Sequence, residues 1–156
     1  MFKRVLVAID GSDYSKKALP VAIEVARKFE GELFVLHVAE HDRGRAAAFT
    51  LETPAEATRL VADAVAQARE AGLVAHGSLV DKAAGHVPQA ITEAAAAQQI
   101  DLIVMGSRGL SDAQGFLVGS VTHKVIQTVE IPVLVTRGGA AVKKATAAEL
   151  SAVGQG

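Results

Sequence analysis

A chain of 156 residues suits one domain with no room for a second, and with no cysteine it forms no disulfide, thiolate nucleophile or Cys-based zinc site. Sixteen Lys and Arg stand against seventeen Asp and Glu, so a net charge of -1 supplies no global field for nucleic acid or an anionic membrane, and neither is expected as a partner. The start, MFKRVLVAIDGSD, has a basic pair before an apolar run, but Asp10 ends that run too early for a signal peptide, and no window reaches the roughly 20 apolar residues of a membrane span; a cytoplasmic protein is expected.

Arg4 to Ile9 (RVLVAI) is a short run rich in β-branched residues without polar alternation, which fits a parallel strand buried on both faces. Asp10-Gly11-Ser12 breaks it. From Ser12 to Phe29 the apolar positions Leu19, Ala22, Val25 or Ala26, and Phe29 recur at the helical period, with a bend expected at Pro20 and an end at Gly31 acting as the C′ glycine. Glu32 to Ala39 reads as a second buried strand, and Glu40 to Thr53 as a surface loop. Thr53-Pro54-Ala55-Glu56 then marks a helix start: an N-cap threonine, a proline at the first helical position and a glutamate placed to complete a capping box. That helix should run to Ala71, with Gly72 closing it.

Leu73 to Val80 is a third strand, weakened by Gly77 and Ser78. Pro88 opens a third helix that ends near Gln98, with Ile91, Ala94 and Ala95 inward. Leu102 to Met105 is the fourth strand, Ser120 to Val129 the fourth helix, and Pro132 to Thr136 a fifth strand, where the leading proline suits a sheet edge. Residues 138–156 read as a flexible tail beyond a single domain of residues 1–137.

Five apolar strands alternating with four helices imply a three-layer α/β fold, a parallel sheet with helices on both faces. Such sheets bind ligands past the carboxyl ends of the strands, where the strand order reverses. Of the two common orders, 2-1-3-4-5 puts the reversal between strands one and three, and 3-2-1-4-5 puts it between strands one and four. Strand four is the one followed by a glycine-rich loop, so 3-2-1-4-5 is preferred. Asp10 and Gly106 then flank one crevice.

The loop after strand four is MGSRGLSDAQGFLVGSVTHKV. Gly106 and Gly109 expose main chain, and Gly119-Ser120 opens a helix whose unpaired N–H groups and roughly half a positive charge suit a phosphate. The glycines make an anion cradle or merely turns. Asp10, which would repel a phosphate, meets a sugar hydroxyl, the base or a bridging Mg2+, or else serves as a cap or turn residue in DGS. Neither G-x-x-x-x-G-K-[ST] nor a post-strand G-x-G-x-x-G is present, which argues against P-loop transferases and dinucleotide dehydrogenases.

These residues resemble the universal stress proteins, whose ATP-binding members carry glycine, two residues, glycine, nine residues, then glycine with serine or threonine; Gly106, Gly109, Gly119 and Ser120 match throughout. DLIVMGSRG, LVGSV, IPVLV and VLVAIDGS extend the likeness over residues 3 to 137. The resemblance implies a Rossmann-like sheet of order 3-2-1-4-5, similar to the adenine nucleotide alpha hydrolases, and an ATP site, with or without Mg2+. By the same resemblance Ala8, Ile9 and Asp10 line the nucleoside side and Val38 meets adenine through its backbone. Met105, Gly106, Ser107, Arg108 and Gly109 wrap the ribose and phosphates, and Gly119, Ser120, Val121 and Thr122 hold the phosphate tail, where Ser120 and Thr122 add hydroxyls. Arg108 neutralises phosphate charge or is a solvated loop residue. The family resemblance also implies a homodimer, formed through the Pro132-Thr136 edge strand. Gln114, Gly115 and Thr122-His123 depart from the usual family text.

Other polar residues carry less. His37 and His41 are four apart, but His37 lies in a strand, so a core or rim histidine is expected rather than a metal pair. His76, His86 and His123 show no partner at ligand spacing, and no paired acids or Ser-His-Asp set can be picked out, so no catalytic residues are assigned. The expected function is an ATP-binding stress-response regulator, a homodimeric switch with at most slow hydrolysis. The rivals are a nucleotide-free interaction module of the same fold and a slow ATPase or nucleotidyl-transfer enzyme.

Overall fold

The computed structural model describes residues 1–41, 52–108 and 118–137; most of the expected surface loop, Gly109, Gln114, Gly115 and the whole 138–156 tail lie outside them. The elements are β1 (Arg4–Ile9), α1 (Asp13–Lys28), β2 (Glu32–His41), α2 (Pro54–Glu70), β3 (Ala75–Ala83), α3 (Val87–Ala97), β4 (Leu102–Gly106), α4 (Ser120–Thr128) and β5 (Val133–Thr136). They build one parallel sheet of order β3-β2-β1-β4-β5, the order read from the sequence.

Alternation along the strands sorts the core into two layers. Val5, Val7 and Ile9 of β1, with Leu33 and Val35 of β2, pack against Ala18, Leu19 and Ala22 of α1 and Val61, Ala64 and Val65 of α2. Leu6, Leu36, Ile103 and Met105 point the other way, onto Ile91 and Ala95 of α3 and Val125 of α4. Both faces of the central strands are therefore buried, which is why their sequences read as unbroken apolar runs.

Helix ends depart from expectation in an instructive way. The left-handed residue that stops α1 is Glu30, at φ 52, not Gly31. Glu30 N–H donates to the Arg27 carbonyl (3.1 Å) and Gly31 N–H to that of Ala26 (2.9 Å), the paired bonds of a Schellman end. Gly31 is needed for a different reason: a Cβ there would sit 2.7 Å from the carbonyl oxygens of both Phe2 and Lys3. Gln99 (φ 50) stops α3 in the same manner, whereas Gly72 takes that position behind α2, as the sequence indicates. Through Pro20 α1 remains a single unbroken helix, with the proline on its exposed side.

Strand ends shift too. β3 starts at Ala75 because Leu73 N–H is used in the α2 end, donating to the Ala68 carbonyl at 3.1 Å. It pairs with β2 without interruption through Gly77 and Ser78 as far as His41↔Ala83, so β2 is also longer than its apolar run. Sheet hydrogen bonding, not hydrophobicity, sets these limits.

The capping box at α2 forms as read: Glu56 N–H donates to Thr53 Oγ1 (3.2 Å) and Thr53 N–H to Glu56 Oε2 (2.7 Å). The bonds from Thr53, led by its backbone N–H, hold the Glu56 carboxyl below its ordinary pKa. Thr53→Ala is expected to cost about 1 kcal/mol at neutral pH by urea denaturation. Because a lowered carboxyl stabilises only while ionised, the share from Glu56 is present above pH 4.5 and is lost as acid protonates it, so the gap between wild type and Glu56→Gln should narrow in acid.

Candidate functional site

β1 and β4 lie side by side with Ala8 opposite Met105, so Asp10 and Gly106 emerge at the same end of the sheet. Val38 follows His37, the β2 partner of Ile9, and completes the row on the other flank of β1. Ala8, Val38 and Met105 share the face packed by α3 and α4, while Ile9 belongs to the α1 and α2 face. The ends of strands one and four are thus adjacent, as the strand order implies.

The turn after β1 is tied internally. Asp10 Oδ1 accepts from Ser12 N–H at 2.9 Å, and Ser12 in turn caps α1, its Oγ accepting from Ser15 N–H at 3.2 Å. Asp10 therefore fills the turn role weighed for it.

Past β4, bare main chain meets α1 itself. A Cβ on Gly106 would lie 2.7 Å from Tyr14 Cβ and 2.9 Å from its carbonyl carbon. The glycine expected to admit a ligand is first required by the opening turn of α1.

Three hydrogen bonds then fix the start of α4 against the end of β4. Ser107 N–H donates to the Thr136 carbonyl (2.8 Å), and Gly119 N–H donates to the Ser107 carbonyl (2.5 Å). Thr122 Oγ1 donates to the Gly106 carbonyl (2.9 Å). Thr122 is buried, so its hydroxyl, expected to reach a phosphate, instead acts as a strut. Ser107 is also buried, Arg108 and Val121 are half-buried, and Ser120 is exposed.

Gly119 is the N-cap of α4 and has no side chain to cap with. The first backbone bond of the helix runs from His123 N–H to the Gly119 carbonyl at 2.9 Å, so the N–H groups of Ser120, Val121 and Thr122 precede any helical acceptor. The arrangement can bind an anion through main chain; Gly109, the remaining residue of the motif, lies outside the described residues.

Sequence reasoning missed two contributors. Tyr14 carries no motif, and its closeness to Gly106 arises only once β1 and β4 are neighbours. His37 is buried as a core histidine, but its partners, the Ile9 carbonyl (Nδ1, 2.8 Å) and Glu52 Oε2 (Nε2, 2.5 Å), come from separate segments. His76 also has a cross-strand carboxylate, Glu32 Oε2 at 3.2 Å, and stacks on Phe34. Among the described residues no three His, Asp or Glu side chains converge to hold a metal, and no helix is long and apolar enough to cross a membrane. Two surface grooves, of about 570 Å³ against α1 and about 290 Å³ between α3 and α4, are lined by other residues.

With this geometry in place, comparison with known proteins is direct. The universal stress protein family model matches residues 1–137. The chain is similar to universal stress protein YxiE of Bacillus subtilis, with 35% identity covering 88% of this chain and 100% of that protein. A universal stress protein of Archaeoglobus fulgidus in complex with dAMP is similar in structure, with TM-score 0.66, 26% identity, and 86% of this chain and 98% of that one covered. A universal stress protein in complex with cAMP is similar at TM-score 0.67 and 25% identity, covering 86% and 97%.

If Gly106 serves packing first, Gly106→Ala should lower stability by about 1–3 kcal/mol in urea denaturation without any ligand, because Tyr14 backbone must shift. Unchanged stability would mean that α1 yields easily.

Proposed function

This chain belongs to the universal stress protein family, and from that premise we propose that it is an ATP-binding, cytoplasmic stress-response regulator working as a homodimeric switch. The observation that carries this is the first turn of α4, which opens at the side-chain-free Gly119 and is tied to the end of β4, a helix start suited to an anion. Solved relatives with dAMP and cAMP support an adenine nucleotide as the ligand class.

In this reading the phosphates rest on the N–H groups of Ser120, Val121 and Thr122, with Ser120 adding its hydroxyl and Arg108 adding positive charge. The nucleoside lies toward Ala8, Ile9, Asp10 and the Val38 backbone, beside Met105, Gly106 and Ser107, with Gly109 and Gly119 leaving main chain open. Mg2+, where present, would sit between the phosphates and Asp10 and offset their repulsion. The dimer forms through β5, an edge strand whose Leu134 is 38% exposed, close in sequence to Ile126 at 45%. Among the described residues no paired acids or nucleophile–base set accompanies the cradle, which favours binding over rapid turnover.

Mass spectrometry of small molecules released from the purified protein is the first test, and recovery of an adenine nucleotide is expected. Ser120→Pro provides the sharper one. Proline suits the first helical position, and Gly119 already has the extended backbone (φ -68, ψ 161) that a following proline requires. The variant should keep its melting temperature and adenosine affinity but bind ATP at least about tenfold more weakly, since both the N–H and the hydroxyl of Ser120 are gone. Unaltered ATP affinity would remove α4 from the site, and no nucleotide in either experiment would favour an interaction module.

A further inference from the structure

His37 is 3% exposed and faces two hydrogen-bond acceptors. Its Nδ1 lies 2.8 Å from the Ile9 carbonyl oxygen and its Nε2 lies 2.5 Å from Glu52 Oε2. A carbonyl oxygen only accepts, so Nδ1 carries hydrogen. A neutral imidazole has a single N–H, which would leave the Nε2 lone pair against an ionised carboxylate. At this separation the contact repels unless a proton lies in it. A proton in each of the two contacts satisfies both ring nitrogens.

We propose that His37, doubly protonated, is a proton-dependent brace that ties β1, β2 and the approach to α2 together at the crevice. Ile9 and Glu52 come from segments that share no backbone ladder at this point, and His37 bonds to both. Other ionisable groups on the surrounding elements are Asp10 past β1, Asp13 opening α1, Glu56 opening α2, His41 further along β2 and Asp81 on β3. Asp10 is bonded to Ser12 N–H and Glu56 to Thr53 N–H. Cationic side chains on the same elements include Lys16 and Lys17 of α1, Arg59 of α2 and Lys82 of β3, the last bonded to Glu93 Oε2 at 3.1 Å.

The sign of the linkage follows. Where the unfolded chain holds histidine neutral, folding takes up this proton, so the contribution is present at low pH and is lost once the brace gives the proton up at higher pH. If the nucleotide-binding reading above holds, affinity at the neighbouring Ile9–Asp10 turn weakens over the same range. That consequence rests on the reading, while the brace itself does not.

Glu52→Gln tests it in the full chain. An amide at position 52 donates to the Nε2 lone pair, so a neutral ring is satisfied and the extra proton is no longer needed. Nitrogen-15 NMR at about pH 7 should show both ring nitrogens of His37 protonated in the wild type and Nδ1 alone in Glu52→Gln. Between about pH 6 and about pH 9 the wild-type melting temperature should fall at least ~3 °C further than that of the variant. A singly protonated wild-type ring at about pH 7, or equal falls in the two proteins, overturns the brace. ATP titrations at the same two pH values should weaken severalfold in the wild type only. ATP failing to bind at either pH would count against the nucleotide reading alone, because ring protonation and melting decide the brace without it.

Discussion

The structure turns on the approach of the first turn of α1 to the end of β4, with Tyr14 so near Gly106 that any side chain would collide. A right-handed crossover from β1 must carry α1 over the sheet, and with β4 beside β1 the helix start passes over the β4 terminus. Only glycine permits that distance. Once it is permitted, the openings of α1 and α4 converge on one end of the sheet, where both helices present the positive ends of their dipoles.

The two helix starts differ in a way that assigns their roles. α1 is closed by its own sequence: Ser12 caps Ser15 N–H, and Asp10 takes Ser12 N–H. α4 begins at a glycine that can offer nothing, and the side chain nearest to help, Thr122, is turned inward onto the Gly106 carbonyl. Among the described residues, one terminus is thus closed by its own side chains and the other opens at a residue with none. The Ser107, Gly119 and Thr122 hydrogen bonds join the start of α4 to β4 and, through Thr136, to β5.

Most of the architecture was legible because parallel strands buried on both faces have an unmistakable signature, and because Thr53, Pro54 and Glu56 spell a helix start in adjacent letters. The strand order was legible for a subtler reason: only strand four is followed by a loop able to host a ligand at the reversal. What could not be read were the distances between segments. Gly31 looks like a helix stop, yet Glu30 makes the turn and Gly31 makes room for the entry of β1. Gly106 looks like an opening for a ligand, yet Tyr14 occupies its vicinity. Thr122 reads as a donor to phosphate and proves to be a strut. In each case the sequence identifies the residue type while the neighbour that explains it is contributed by topology.

The same distinction bears on what such a crevice can discriminate. Main-chain amides and a helix dipole recognise charge and shape, and they are supplied by whatever side chains the fold tolerates around them. Recognition of a particular nucleoside or phosphate number requires side chains instead, and here the nearest ones are already engaged: Asp10 with its own turn, Thr122 with Gly106, His37 with Ile9 and Glu52. Selectivity built on the described residues would therefore rest on the main chain at the ends of β1, β2 and β4, whose spacing is set by the parallel ladder that joins them.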